Sequence, residues 1–154
     1  MTGWIAKAAN NNPPRRTLKR LFFVEDNLAM RQSLMDTLED LVPITVIGMA
    51  ETEEEGTRWL ARDDVHWDLA IVDLYLKEGS GLGVVEACRF RHPGQKMVVL
   101  SNHVTAEVRW RCAQLGVDAV FDKTTELDDM VRYCVALGKS LDELASLPRQ
   151  LPSG

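Results

Sequence analysis

Apolar residues in this chain fall into short runs, and each run ends on a polar residue or a turn. Leu21-Phe22-Phe23-Val24 leads into Glu25-Asp26, and Leu69-Ala70-Ile71-Val72 leads into Asp73. Met97-Val98-Val99-Leu100 leads into Ser101, and Ala119-Val120-Phe121 leads into Asp122-Lys123. Unbroken apolar runs of this length suit strands buried on both faces, whereas the alternation of Ile44, Val46 and Gly48 suits a strand nearer a sheet edge. The pattern predicts strands over 20–25, 44–48, 68–73, 96–101 and 117–121. Between them apolar residues return at helical spacing, which predicts helices over 28–41, 52–62, 83–91 and 105–115. A last helix starts near Thr125 and runs past Leu141 towards Leu147. Asn27 is placed to cap the first helix, in which Leu34, Leu38 and Leu41 share a face. His92-Pro93-Gly94, Gly116 and Pro148 are stop signals.

A fivefold alternation of strand and helix implies an α/β fold, a doubly wound parallel sheet with helices on both faces. Strands one, three and four, the most uniformly apolar, belong at its centre. At 154 residues the chain is long enough for one domain with a sizeable core. Residues 1–17 read as a tail, because Asn10-Asn11-Asn12-Pro13-Pro14 suits neither helix nor sheet interior. The domain proper is expected over 18–140, with 141–154 extending the last helix. Arg15, Arg16, Lys19 and Arg20 form a basic cluster, either an electrostatic contact for a partner or nucleic acid or a solvated entry to the first strand.

A net charge of −5 argues against nucleic-acid binding as the main work of the chain. No apolar stretch is long enough to span a bilayer, and residues 1–12 lack the apolar core of a signal peptide, so a cytoplasmic location without membrane contact is expected. Cys88, Cys112 and Cys134 show no metal or redox spacing and read as small buried hydrophobes.

Parallel sheets bind ligands outside the carboxyl ends of their strands. The strand ends here would gather Glu25, Asp26, Asp73, Ser101 and Lys123. Three carboxylates in one place repel unless a cation or protons neutralise them, and hard oxygen donors suit Mg²⁺. A lysine offers a compact charge to phosphate and a serine hydroxyl can donate to a phosphoryl oxygen. The set reads as a phosphoryl site, in which a carboxylate can itself be the nucleophile.

In this order the residues resemble those of a response-regulator receiver domain of bacterial two-component signalling (CheY-like), over roughly Arg20 to Leu137. The family pattern is an acidic pair after strand one, an aspartate ending strand three, a Ser/Thr ending strand four and a lysine after strand five. Here these are Glu25-Asp26, Asp73, Ser101 and Lys123. The resemblance implies a flavodoxin-like (βα)5 fold with strand order 2-1-3-4-5. It implies that Asp73 accepts a phosphoryl group from a histidine kinase or phosphotransfer protein. Glu25, Asp26, Asp73 and the main-chain carbonyl of Tyr75 would hold Mg²⁺, and Ser101 and Lys123 would bind the phosphoryl oxygens. Ser101 would move inward to report the modification.

Four positions depart from the common pattern. Val120 stands where an aromatic often precedes the lysine, and Phe121, one residue on, belongs to the opposite face of the strand. Thr124 stands where a cis proline is common, Lys77 where a proline often follows the acceptor, and Asn102 where a small residue is usual. Asn102 and Tyr75 are placed to set the phosphoryl lifetime, or merely to line a polar rim. Gly79-Ser80-Gly81-Leu82-Gly83 lacks a Walker lysine and the full dinucleotide spacing, and reads as a turn into the third helix.

Three functions compete at this stage. One is a phospho-switch that changes a protein–protein surface. Another is a degenerate receiver acting as a constitutive binding or dimerisation module. The third is an aspartate-based phosphohydrolase, opposed by Tyr75 standing where its second aspartate belongs. The expectation is not an enzyme but a single-domain regulator, since few residues follow the domain. Its output would be a downstream target protein, or a homodimer through helix four, strand five and helix five. Trp110, turned away from Val108, Cys112 and Leu115, is a candidate anchor on that face.

Overall fold

The computed structural model describes residues 19–146, with side-chain surroundings as far as residue 138. The expected tail over 1–17, with Arg15 and Arg16, lies outside the described residues; of 141–154 only the helical backbone to Ser146 lies within them. Five strands and five helices alternate: β1 Lys19–Val24, α1 Leu28–Leu41, β2 Ile44–Ala50, α2 Glu53–Leu60, β3 Leu69–Val72, α3 Gly81–Ala87, β4 Lys96–Ser101, α4 Ala106–Gln114, β5 Ala119–Asp122 and α5 Leu127–Ser146. The strands form one parallel sheet in the order β2-β1-β3-β4-β5. This is the doubly wound arrangement that the sequence predicts.

The first four helices begin where a short polar side chain can take an orphan backbone N–H. Asn27 accepts from Met30, Thr52 from Glu55, Ser80 from Leu82 and Thr105 from Val108. Alternate side chains of the strands feed two cores. Phe22, Val24, Ala70, Val72 and Val99 pack with Leu60, Val84, Val85 and Cys112, under α2, α3 and α4. Leu21, Phe23, Ile71, Val98 and Leu100 pack with Leu34, Leu38, Met130 and Cys134, under α1 and α5. All three cysteines are free and buried, as expected of small apolar fillers.

The structure corrects several expected bounds and one packing assignment. β2 runs on to Ala50, and its register against β1 slips by one residue, Leu21 pairing with Val46 and Phe22 with Gly48. Gly48 is required there, because a Cβ would come within 2.8 Å of both the Phe22 and Trp59 rings, which stack at 4.4 Å. α3 is shorter than expected. The Arg91 guanidinium folds back onto the carbonyls of Cys88, Gln95 and Gly116 and onto Asp118, so the chain turns out of the helix early. Leu41 does not join the α1 stripe but stays 57% exposed. Val42 occupies the core in its place, and a Cβ on Gly138 would come within 2.8 Å of it.

The chain leaves β1 towards β2 and returns to β3 on the other side. The crevice at this reversal lies between the carboxyl ends of β1 and β3.

Candidate functional site

Glu25 and Asp73 emerge from the two strands that flank this crevice, only 4% and 6% exposed. Their backbones are fixed first. Glu25 N–H donates to the Ala50 carbonyl and Asp73 N–H to the Val24 carbonyl, each at 2.9 Å. The Asp73 carboxylate is then held from three directions. Oδ1 accepts from the Ser101 hydroxyl at 3.0 Å and from the Tyr75 N–H at 3.0 Å. Oδ2 accepts from Lys123 Nζ at 2.9 Å. Ser101 reaches Asp73 because β3 and β4 are neighbours, and Lys123 follows the end of β5, its N–H donating to the Ser101 carbonyl.

Lys123 Nζ also lies 2.9 Å from Glu25 Oε1, so one ammonium bridges two buried carboxylates. Burial raises the Glu25 carboxyl above its ordinary range, the charge of Asp73 adds to this, and Lys123 opposes it. Burial works to lower the Lys123 ammonium, but the bonds from Asp73 and Glu25 outweigh it and the net shift is upward. Asp26 is less enclosed, and its Oδ2 accepts from Lys77 N–H at 2.6 Å, tying the loop after β1 to the loop after β3.

Glu25, Asp26 and Asp73 each offer a carboxylate oxygen within 4.8 Å of the others. Three hard oxygen donors at this spacing fit a small divalent cation such as Mg²⁺. The lysine bridge confirms that the cluster needs positive charge: without a cation, two buried carboxylates would face one another unrelieved. Tyr75 follows Asp73 through a turn closed by the Tyr75–Ser80 bridge. Its ring is exposed and meets the His103 ring edge-on at 6.4 Å, beside the site. His103 has φ +47°, unusual for a residue with a side chain, and Asn102 next to it is exposed.

Gly81 explains part of the glycine-rich turn. A Cβ there would lie 2.1 Å from the Asp73 carbonyl oxygen, so the start of α3 presses directly on the Asp73 main chain. Glu53 fills the space beside Gly79 and Gly83, its Oε1 accepting from Ser80 N–H at 2.9 Å. The departures noted in the sequence also take shape. Val120 packs into the core under α2, α3 and α4, while Phe121 lies on the other face against Tyr133 at 5.7 Å. No cis peptide bond occurs among the described residues, and the turn after Lys123 is instead closed by the Asp122 carboxylate, which accepts from Thr124 N–H at 2.8 Å.

Sequence reasoning missed a buried arginine. Arg31 Nη1 donates to the Glu25 carbonyl at 2.7 Å and pairs with Glu51 at 3.2 Å, bracing the acidic pair from behind. The signal was available: Arg31 precedes Leu34 and Leu38 by three and seven residues, which puts it on the buried face of α1.

The comparisons with known proteins agree with this geometry. The family described as the response regulator receiver domain matches residues 21–134. A response regulator receiver domain protein (CheY-like) from Methanospirillum hungatei JF-1 superposes with a TM-score of 0.66 at 26% identity, over 84% of this chain and 98% of that one. The non-phosphorylated HemR receiver domain from Leptospira biflexa gives a TM-score of 0.63 at 25% identity, over 87% and 99%. The acid tolerance regulatory protein ActR of Rhizobium meliloti is 30% identical over 114 residues, 73% of this chain and 56% of ActR. The chain spans between 39% and 58% of the length of the curated relatives it matches. Among the described residues no helix is long and apolar enough to cross a membrane.

Proposed function

The chain belongs to the response regulator receiver domain family, and from that premise we propose that Asp73 is its phosphoacceptor. The donor is a phosphohistidine of a histidine kinase or phosphotransfer protein. A carboxylate oxygen of Asp73 attacks phosphorus. The new P–O bond forms as the P–N bond breaks, and the imidazole nitrogen leaves with the electron pair and takes a proton from water. Water later attacks the same phosphorus, giving inorganic phosphate and restoring the carboxylate. This self-hydrolysis is the only turnover proposed.

The observation that carries the reading is the Asp73 carboxylate itself. It is buried at a strand end, with a hydroxyl and a main-chain N–H on one oxygen and an ammonium on the other. Ser101 and Lys123 are set to follow the charge onto the phosphoryl oxygens. Mg²⁺, held by Glu25, Asp26, Asp73 and the Tyr75 carbonyl, would supply the charge neutralisation that lets an anionic nucleophile meet an anionic phosphoryl group. Ser101 does not need to move inward, as its hydroxyl already donates to Asp73 at 3.0 Å; modification shifts that bond to a phosphoryl oxygen and changes the face made by α4, β5 and α5, which then binds a target protein or a second copy of the chain. Trp110, 62% exposed on α4, supports a protein contact there. The acidic charge of this segment supports protein rather than nucleic acid as its direct partner.

The test is phosphorylation by a small acyl phosphate or phosphoramidate, with and without Mg²⁺, followed by intact mass. The wild type is expected to gain one acid-stable, base-labile phosphoryl group only with Mg²⁺, and Asp73→Asn none. A wild type that takes up no label from either donor, or equal labelling of Asp73→Asn, overturns the reading.

A further inference from the structure

Glu126, the residue before α5, receives two donors on one oxygen. Its Oε1 accepts from the Asp122 N–H at 2.9 Å and from Arg109 Nη2 at 2.8 Å. Arg109 stands on α4, and its Nη1 donates to the Val120 carbonyl of β5 at 3.0 Å. Asp122 in turn pairs with Ser101 across the sheet and immediately precedes Lys123. The Asp122 carbonyl accepts from Glu126 N–H at 2.8 Å, which closes the turn on itself. A run of bonds therefore joins α4 to the segment that carries the site's lysine, and it passes the position where Val120 offers no large ring.

We propose that Glu126 is a positioning residue for Lys123, and that Arg109 makes this positioning answer to whatever binds α4. The proposal rests on the phosphoacceptor reading of Asp73. Glu126 acts through the Asp122 N–H: it fixes where β5 ends and hence where the lysine begins. Arg109 shares the oxygen and so sets how firmly it is held. The Arg109–Glu126 pair is partly exposed, with side chains 44% and 32% accessible, so its direct worth is small and easily perturbed. That weakness suits a coupling. Arg109 is next to the exposed Trp110, and a partner that grips Trp110 can keep or take Arg109. Coupling between two sites is reciprocal, so phosphoryl binding at Asp73 must alter partner affinity by the same factor. Arg109 holds Glu126 below the ordinary carboxylate range, with the Asp122 N–H second, so the carboxylate stays charged through the neutral range.

The experiment compares Glu126→Ala, Glu126→Gln and Arg109→Ala with wild type. Arg132→Ala, which removes another exposed pair on α5, is the control. Two quantities are measured: amide hydrogen exchange at Asp122 and Lys123 without ligand, and affinity for beryllofluoride with Mg²⁺. Glu126→Ala is expected to speed exchange about tenfold and weaken beryllofluoride about fivefold, the loss of one net hydrogen bond. Glu126→Gln should return both to within about twofold, since its amide oxygen still accepts from Asp122. Arg109→Ala should fall between, and Arg132→Ala should match wild type. An unchanged Glu126→Ala, or a Glu126→Gln as impaired as Glu126→Ala, overturns the proposal. A wild type that ignores beryllofluoride counts against the Asp73 reading instead, and the exchange rates still decide whether Glu126 holds the turn.

Discussion

Replacing Lys123 with methionine keeps the apolar stem and deletes the charge between Glu25 and Asp73. In the native site the three side chains are 5–7% exposed and the ammonium lies 2.9 Å from each carboxylate. Without it, carboxylate oxygens no more than 4.8 Å apart face one another. At an effective dielectric of about 20 their repulsion is about 3.5 kcal/mol, close to the cost of about 3–5 kcal/mol for breaking a buried pair. For a domain of this size that lowers Tm by roughly 10–20 °C. A divalent cation should restore part of the loss, because it supplies what the ammonium supplied. At about twentyfold above its Kd, Mg²⁺ returns about 1.8 kcal/mol. The variant should also bind Mg²⁺ more tightly than wild type, having lost the competing cation. Thermal melts of both proteins in EDTA and in Mg²⁺, with calorimetric titration of the metal, measure each quantity. A variant as stable as wild type in EDTA, or one that Mg²⁺ leaves unmoved, would falsify the view of Lys123 as the resident counter-ion.

Other outcomes follow from the same geometry. Gly81→Ala should cost about 3 kcal/mol or more by denaturant titration, since its Cβ would meet the Asp73 carbonyl at 2.1 Å. Gly94→Ala, with nothing within 4 Å, should stay within about 0.5 kcal/mol. Cys88 and Cys134, whose thiols burial pushes up to about 11 and about 12, should resist alkylation at about pH 8 until the protein is unfolded; rapid labelling of the native protein would contradict the two-core packing. Glu25, raised by burial, takes up its proton at a higher pH than an ordinary glutamate, and only its charged form can ligate. The Mg²⁺-induced rise in Tm should therefore shrink as pH falls, and begin to do so at a higher pH than an ordinary glutamate would allow. The contribution of Lys123, raised in the fold, is complete below its unfolded value of 10.5 and is lost as pH climbs through the higher folded one. Tyr75→Ala, which removes the ring beside His103, should change the dephosphorylation rate, as should Asn102→Ala; two unchanged rates would leave both side chains as mere rim.

The sheet was legible because a parallel strand buried on both faces writes an unbroken apolar run, as at Leu69–Val72, and because its last residues turn to solvent or to a ligand. Asp73, Ser101 and Lys123 were legible for the same reason, since chain order alone puts them at one edge. The rest depends on contacts between distant segments. Nothing local to Arg109 or Glu126 tells that they meet across β5, and i-to-i+3 counting could not place Leu41, because the helix ends there and Val42 takes the core position. The early exit from α3 likewise depends on Arg91 reaching carbonyls that lie on three segments. Arg31 was the legible one overlooked: a charge on an apolar stripe is unusual, and its partners sit at the ends of β1 and β2.

Gly81 leaves Asp73 no slack on one flank. With the first turn of α3 against its carbonyl, Asp73 would have no room on that side to retreat or tilt if it gained bulk. Accommodation would run instead through Ser101 into a segment where His103 already has a positive φ and Asn102 is open to water. The missing methyl group thus gives the molecule a stator and a rotor, and it favours the end of β4 over α3 as the place where a covalent change at Asp73 would register.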